Sequence, residues 1–140
     1  MTDEEGRPVS GANVKVQQTR HGFTFGSAMR STVLSNSQYS DFFKEHFNWA
    51  VFENESKWYS NETSRGNVNY SVADRMMEFA EVNDILVRGH TVHWEVDQYQ
   101  ASWIQSLQRS EKAMADRITS VVNHFKGKFV HAAIEATGRI

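Results

Sequence analysis

Short apolar runs and longer amphipathic stretches alternate along the chain. Phe23-Thr24-Phe25-Gly26-Ser27-Ala28, the segment 47–52, Ile85-Leu86-Val87 and Phe129-Val130-His131-Ala132-Ala133-Ile134 are each too short for a helix. They are rich in the β-branched, aromatic and small residues that fit a pleated surface. The Ile85–Val87 run carries no polar alternation, as expected of a parallel strand covered on both faces. Three stretches between these runs follow a helical period. Phe42, Phe43 and Phe47 form one side of a predicted helix over 39–47. Ala73, Met76 and Ala80 recur at helical intervals behind Ser71, which with Asp74 has capping-box spacing, and Asn83 ends that helix. Ser110 opens the longest helix, where Met114, Ile118, Val121, Val122 and Phe125 fall on one stripe, and Gly127 closes it. The alternation predicts an α/β fold with parallel strands joined by right-handed crossovers.

Upstream, Val14-Lys15-Val16-Gln17 alternates in polarity and predicts a short, half-exposed N-terminal strand. Residues 1–18 therefore form a lead-in strand or linker, and 19–140 one α/β domain. At 140 residues a second core would be hard to fill.

Charge and composition narrow the partners. A formal charge of -2, with no dense Lys/Arg cluster, supplies no field for a phosphate backbone, so nucleic acid is not expected. No apolar run approaches the ~20 residues of a membrane span, and the acidic start lacks the basic-then-apolar order of a secretion signal. No membrane partner is expected, and the compartment is left open. The absence of Cys removes disulfides and thiolate chemistry. Aromatic content of 12%, including Trp49, Trp58, Trp94 and Trp103, suits packing against sugar C–H faces and equally suits core packing.

In parallel α/β folds the loops at the carboxyl ends of the strands share one face and carry the site. Two segments sit there. Glu53-Asn54-x-x-Lys57 follows the second strand and brings a carboxylate, an amide and an ammonium into one loop, a set able to pair with sugar hydroxyls. The plainer alternative is a solvated charged loop. Arg88-Gly89-His90-x-x-His93-Trp94 follows the third strand. His90 and His93 are three apart, which in a strand directs them to opposite faces, and no third ligand is assignable, so no metal is expected. No Gly-x-Ser-x-Gly elbow and no phosphate loop is present. The remaining inventory of carboxylate, histidine and amide near tryptophan suits carbohydrate.

At these same segments the chain resembles glycoside hydrolase family 10, the endo-β-1,4-xylanases, and most of all its plant-type members. The residues that carry the resemblance are Phe25-Gly26-Ser27-Ala28, Phe52-Glu53-Asn54-Glu55-Ser56-Lys57-Trp58-Tyr59, Arg65-Gly66-Asn67-Val68-Asn69-Tyr70 with Ala73-Asp74, and Arg88-Gly89-His90-Thr91 with Trp94. They keep the family's order over roughly residues 12 to 131. The resemblance implies a partial (β/α)8 barrel of about four β/α units, xylan or xylo-oligosaccharide as partner, and no cofactor. It implies that Glu53, Asn54 and Lys57 bind xylose units beside the cleavage point, with His90 and Trp94 at or near the sugar that is attacked.

It also implies a retaining mechanism, in which two carboxyl groups ~5–5.5 Å apart act as acid/base and nucleophile. The family's acid/base glutamate follows an asparagine at the end of strand four. Here Ala136-Thr137 occupy those positions, and Glu135 lies two residues early. The nucleophile belongs to strand seven, in a barrel that needs ~250 residues. No catalytic residue is therefore expected within these 140 residues, and the isolated chain is expected to be inactive. Unpaired edges of a half-barrel make self-association an expectation as well.

Overall fold

The computed structural model describes residues 2–19, 22–94, 96, 100, 102–106 and 110–132. Four short strands, β1 (Gly26–Met29), β2 (Trp49–Phe52), β3 (Leu86–Gly89) and β4 (Phe129–Ala132), form a parallel sheet in sequence order. A 3₁₀ turn over Ser31–Leu34 and helix α1 (Ser37–His46) connect β1 to β2. Helices α2 (Trp58–Asn61) and α3 (Ser71–Val82) connect β2 to β3, and α4 (Ser102–Gln105) and α5 (Glu111–His124) connect β3 to β4.

Side-chain alternation divides the sheet into two faces. Met29, Ala50, Phe52 and Val87 are buried under the helices, where they meet Phe43 of α1, Ala73, Met76, Met77 and Ala80 of α3, and Val121 of α5. Phe52, Met29, Met76 and Phe43 are buried almost completely, so truncating any of them to Ala leaves a void costing about 2–5 kcal/mol. On the opposite face Trp49, Val51 and Arg88 are only half-buried, while Leu86 is 49% exposed. The register explains how His131 joins that face. Val87 pairs with Phe129, but a bulge then sets Arg88 opposite His131. Phe129 thus stacks on Phe125 beneath the sheet, while the His131 ring lies 5.4 Å from that of Trp49. Close approach fixes Gly26: a Cβ there would lie 1.8 Å from the Trp49 carbonyl oxygen.

The expected order of strands and helices from Gly26 onward is present, with shifted ends and two corrections. Residues 14–17 form no strand, and Val14 and Val16 are 64% and 88% exposed. An alternating run becomes a strand only when a neighbour satisfies its backbone, and none lies beside this one among the described residues. The N-terminal segment instead contains an isolated antiparallel bridge between Thr2 and Pro8, with Asp3 Oδ1 accepting from the Glu5 and Arg7 amides.

The start of α3 differs too. Ser71 is its first helical residue rather than its cap, and Asn69 Oδ1 accepts the Ser71 N–H at 2.8 Å. Asp74 points across to α5, where His124 Nε2 lies 2.6 Å from its Oδ1. Ser110 does cap α5, accepting from Ala113. That helix ends at His124, and Gly127 makes the following turn at φ +78. The expected extension of the fourth strand through Ala133 and Ile134 lies outside the described residues, as do Tyr99 and the positions of Glu135, Ala136 and Thr137.

Candidate functional site

The carboxyl ends of β1, β2 and β3 release the chain at Arg30, Glu53 and His90, on one edge of the sheet. Glu53 is tied down first. Its amide donates to the Met29 carbonyl at 3.0 Å. Its carboxylate meets Arg30 through a two-point fork, with Nη2 to Oε1 at 2.9 Å and Nε on Oε2. The Arg30 hydrogen bond, with Lys57 adding to it, holds the Glu53 carboxyl below the usual carboxylate range, so it is an anion and not an acid at neutral pH. Glu55 is also committed. Its Oε1 accepts from the Ser31 amide at 2.8 Å and its Oε2 from the Asn54 amide at 3.1 Å.

Asn54 Oδ1 accepts from two donors, Lys57 Nζ at 3.0 Å and the Tyr59 hydroxyl at 2.8 Å. With its oxygen saturated, the amide group presents Nδ2 as donor. Burial, and then the charges of Glu55 and Glu53, push the Tyr59 hydroxyl pKa up, which keeps it a neutral donor. Lys57 Nζ reaches over the loop after β3, 4.8 Å from the Trp94 ring centre. One ammonium thereby joins the loop after β2 to the loop after β3.

The second loop is held from outside itself. Ser56 Oγ donates to the His90 carbonyl, and Arg117 Nε donates to the Val92 carbonyl at 3.1 Å. Thr91 Oγ1 donates to the His93 carbonyl at 2.9 Å, and Gln100 Nε2 to the Trp94 carbonyl at 2.9 Å. The His90–Thr91 peptide is cis. His93 is buried with its ring edge-on to Trp58, away from the Lys57–Trp94 contact. Among the described residues no three His, Asp or Glu side chains come together as a metal cluster.

All five candidate residues, Glu53, Asn54, Lys57, His90 and Trp94, are half-buried at the strand ends. Glu53, Asn54 and Lys57 share one loop, Trp94 meets Lys57 directly, and His90 is joined to them through its backbone. Arg30, Ser56, Tyr59 and Arg117 were not singled out from the sequence. Arg30 follows β1 as Glu53 follows β2, so the strand-end rule reaches it. Arg117 carried a signal too: it lies three residues after Met114 and four before Val121, a charge inside an apolar stripe. A cleft of about 350 Å³ lies between the β2–α3 connection and α5, lined by Trp58, Glu62, Arg65, Trp103 and Asp116, and contains none of the five.

A parallel sheet in sequence order, with helical crossovers and its polar side chains gathered at the carboxyl ends, defines part of a (β/α)8 barrel. Residues 13–133 match Glycosyl hydrolase family 10, and the chain belongs to that family. It is similar to the Anti-sigma-I factor RsgI6 of Acetivibrio thermocellus, with 45% identity over 133 residues, 94% of this chain and 18% of that protein. It is 40% identical over 133 residues to Endo-1,4-beta-xylanase 3 of Arabidopsis thaliana, again covering 94% of this chain and 18% of the relative. Among solved structures, xylanase 10B from Thermotoga petrophila RKU-1 in complex with xylobiose superposes with a TM-score of 0.74 at 26% identity, covering 86% of this chain and 40% of that one. The chain thus spans less than a fifth of those two relatives and two fifths of that structure.

Proposed function

We propose that this chain is the sugar-binding portion of an endo-1,4-β-xylanase-type barrel, and that Glu53, Asn54, Lys57, His90 and Trp94 hold xylose units of xylan. The observation that carries this reading is the Lys57 ammonium, which donates to Asn54 Oδ1 at 3.0 Å and lies 4.8 Å from the Trp94 ring centre. Charged donor, amide donor and aromatic face then converge where two strand-end loops meet, as a pyranose with hydroxyls and an apolar face requires. Glu53 contributes as an anion that accepts from sugar hydroxyls. Calorimetric titration of the chain with xylotriose is expected to give saturable heat, and no heat from xylotriose would sink the reading.

Hydrolysis by a retaining pair belongs, in this proposal, to a whole barrel. Glu53 is held ionised by Arg30, so it does not supply the protonated acid. The 140-residue chain alone is expected to release no reducing ends from xylan; release that disappears in Glu53→Gln would overturn this.

A second reading, xylan binding without hydrolysis, is favoured by the 45% identity to a protein named as an anti-sigma factor. A catalytic role in the longer protein and a binding role make the same prediction for xylotriose and differ only in xylan turnover by that longer protein. For the chain by itself we also propose self-association, because β1 and β4 are edge strands and Leu86 and Val130 are about half exposed. Light scattering that showed a monodisperse monomer would refute this.

A further inference from the structure

The Lys57–Trp94 contact spans two loops, and the hydrogen bonds within each loop do not set the distance between them. Besides the Ser56–His90 bond, one side chain from α5 grips both loops. Arg117 is 4% exposed and donates through Nη2 to the Ser56 carbonyl at 2.8 Å and to Asn61 Oδ1 at 2.9 Å. Through Nε it reaches the Val92 carbonyl at 3.1 Å, and through Nη1 the Tyr70 hydroxyl at 3.3 Å. Ser56 directly precedes Lys57, and Val92 stands two residues before Trp94. The guanidinium is a rigid planar fork, so it fixes the separation of the two carbonyls it binds.

Two further bonds extend its grip. Asn61 Nδ2 donates to the Glu55 carbonyl at 2.8 Å, and Ser56 Oγ donates to the His90 carbonyl. The peptide before Ser56 is thus held by Asn61, which Arg117 holds in turn, and the peptide after it by Arg117 directly. Burial pulls the Arg117 pKa down to about 10, which leaves it charged at neutral pH. Among the described residues its hydrogen-bond acceptors are carbonyls, an amide and a hydroxyl rather than a carboxylate. A side chain that served packing alone would be better supplied by Met or Leu, since a buried charge carries a desolvation penalty that apolar residues do not.

We propose that Arg117 is a positioning residue for the candidate sugar site: it touches no sugar, but sets the spacing of Lys57 and Trp94 and through it the affinity for a xylose unit. The inference rests on the xylose-binding reading for its effect on affinity, and on the Arg117 hydrogen bonds to the two loops for its effect on spacing. Xylotriose affinity is to be measured calorimetrically for the 140-residue chain, Arg117→Lys, Lys57→Met and the double variant. In parallel, the Trp94 indole N–H resonance is followed without ligand.

Arg117→Lys is expected to weaken xylotriose binding about tenfold in the parent and less than about twofold when Lys57 is already Met, the non-additivity of residues acting through one another. The ligand-free Trp94 resonance is expected to move toward its position in Lys57→Met. Equal losses in both backgrounds with an unmoved resonance would make Arg117 a support of the fold only, and overturn the proposal. If the parent chain binds no xylotriose, the xylose reading fails and the ligand-free resonance alone decides: movement supports positioning, no movement overturns it. If Arg117→Lys does not fold, Asn61→Ala, which removes one acceptor of the guanidinium, is read by the same resonance with the same two outcomes.

Discussion

The loops after β2 and β3 both reach the candidate site, but local bonds weigh differently in the two. The loop after β2 adds to its ties to Arg30, Ser31 and Arg117 a set of bonds between neighbours in sequence: Lys57 and Tyr59 donate to Asn54, Glu55 accepts the Asn54 amide, and the Lys57 amide donates to the Asn54 carbonyl. The loop after β3 relies on distant donors, Ser56 for His90 and Arg117 for Val92. Local bonds form whenever the chain takes the right backbone path, whereas distant ones wait on the fold. The first loop carries part of its geometry in local bonds, and the second is fastened at His90 and Val92 by the first loop and by α5.

Removing the distant donor tests this contrast hardest. Arg117→Met leaves two carbonyls, an amide oxygen and a hydroxyl without their buried partner, and should cost about 3–5 kcal/mol in thermal or urea unfolding. A loss below about 1 kcal/mol would show that the loop after β3 holds itself. Lys57→Met comes next. It should weaken xylotriose about tenfold while leaving unfolding nearly unchanged, because a half-buried ammonium on an aromatic face contributes to the ligand's surroundings more than to the core. Ser56→Ala should cost about 0.5–1.5 kcal/mol, measured in urea, and should disturb amide resonances around His90 more than those around Asn54. An equal disturbance would remove the asymmetry between the loops.

The smallest effect is one of pH. Because Arg30 lowers the Glu53 pKa in the folded state, this carboxylate's contribution is complete above its unfolded value of about 4.3 and is lost as pH falls through the lower folded value. The melting-temperature difference between the parent chain and Glu53→Gln should therefore be constant near neutrality and shrink in acid. A difference that grew in acid would mean that Glu53 is protonated in the folded protein.

The same contrast explains what could be read before the structure. The four strands and three long helices follow from local period, and Asn54 and Lys57 stand three residues apart in a loop with local bonds of its own. Arg117 was visible only as a charge in an apolar stripe, because its partners are 25 to 61 residues away in sequence. Val14–Gln17 failed for the converse reason: a local alternation with no neighbouring strand among the described residues to complete it. Ser71 missed the cap by one residue: the cap position falls on Tyr70, and Asn69 Oδ1 accepts the Ser71 amide, because only the backbone path decides where the helix starts.

The central claim is that sugar is held where Lys57 meets Trp94, at the strand ends, and not in the cleft beside Trp58 and Trp103. Titration of the chain with xylotriose, followed by the four tryptophan indole N–H resonances, tests it most directly. The Trp94 resonance should move with saturation while those of Trp58 and Trp103 stay in place. Movement of Trp58 and Trp103 with Trp94 unchanged would contradict it.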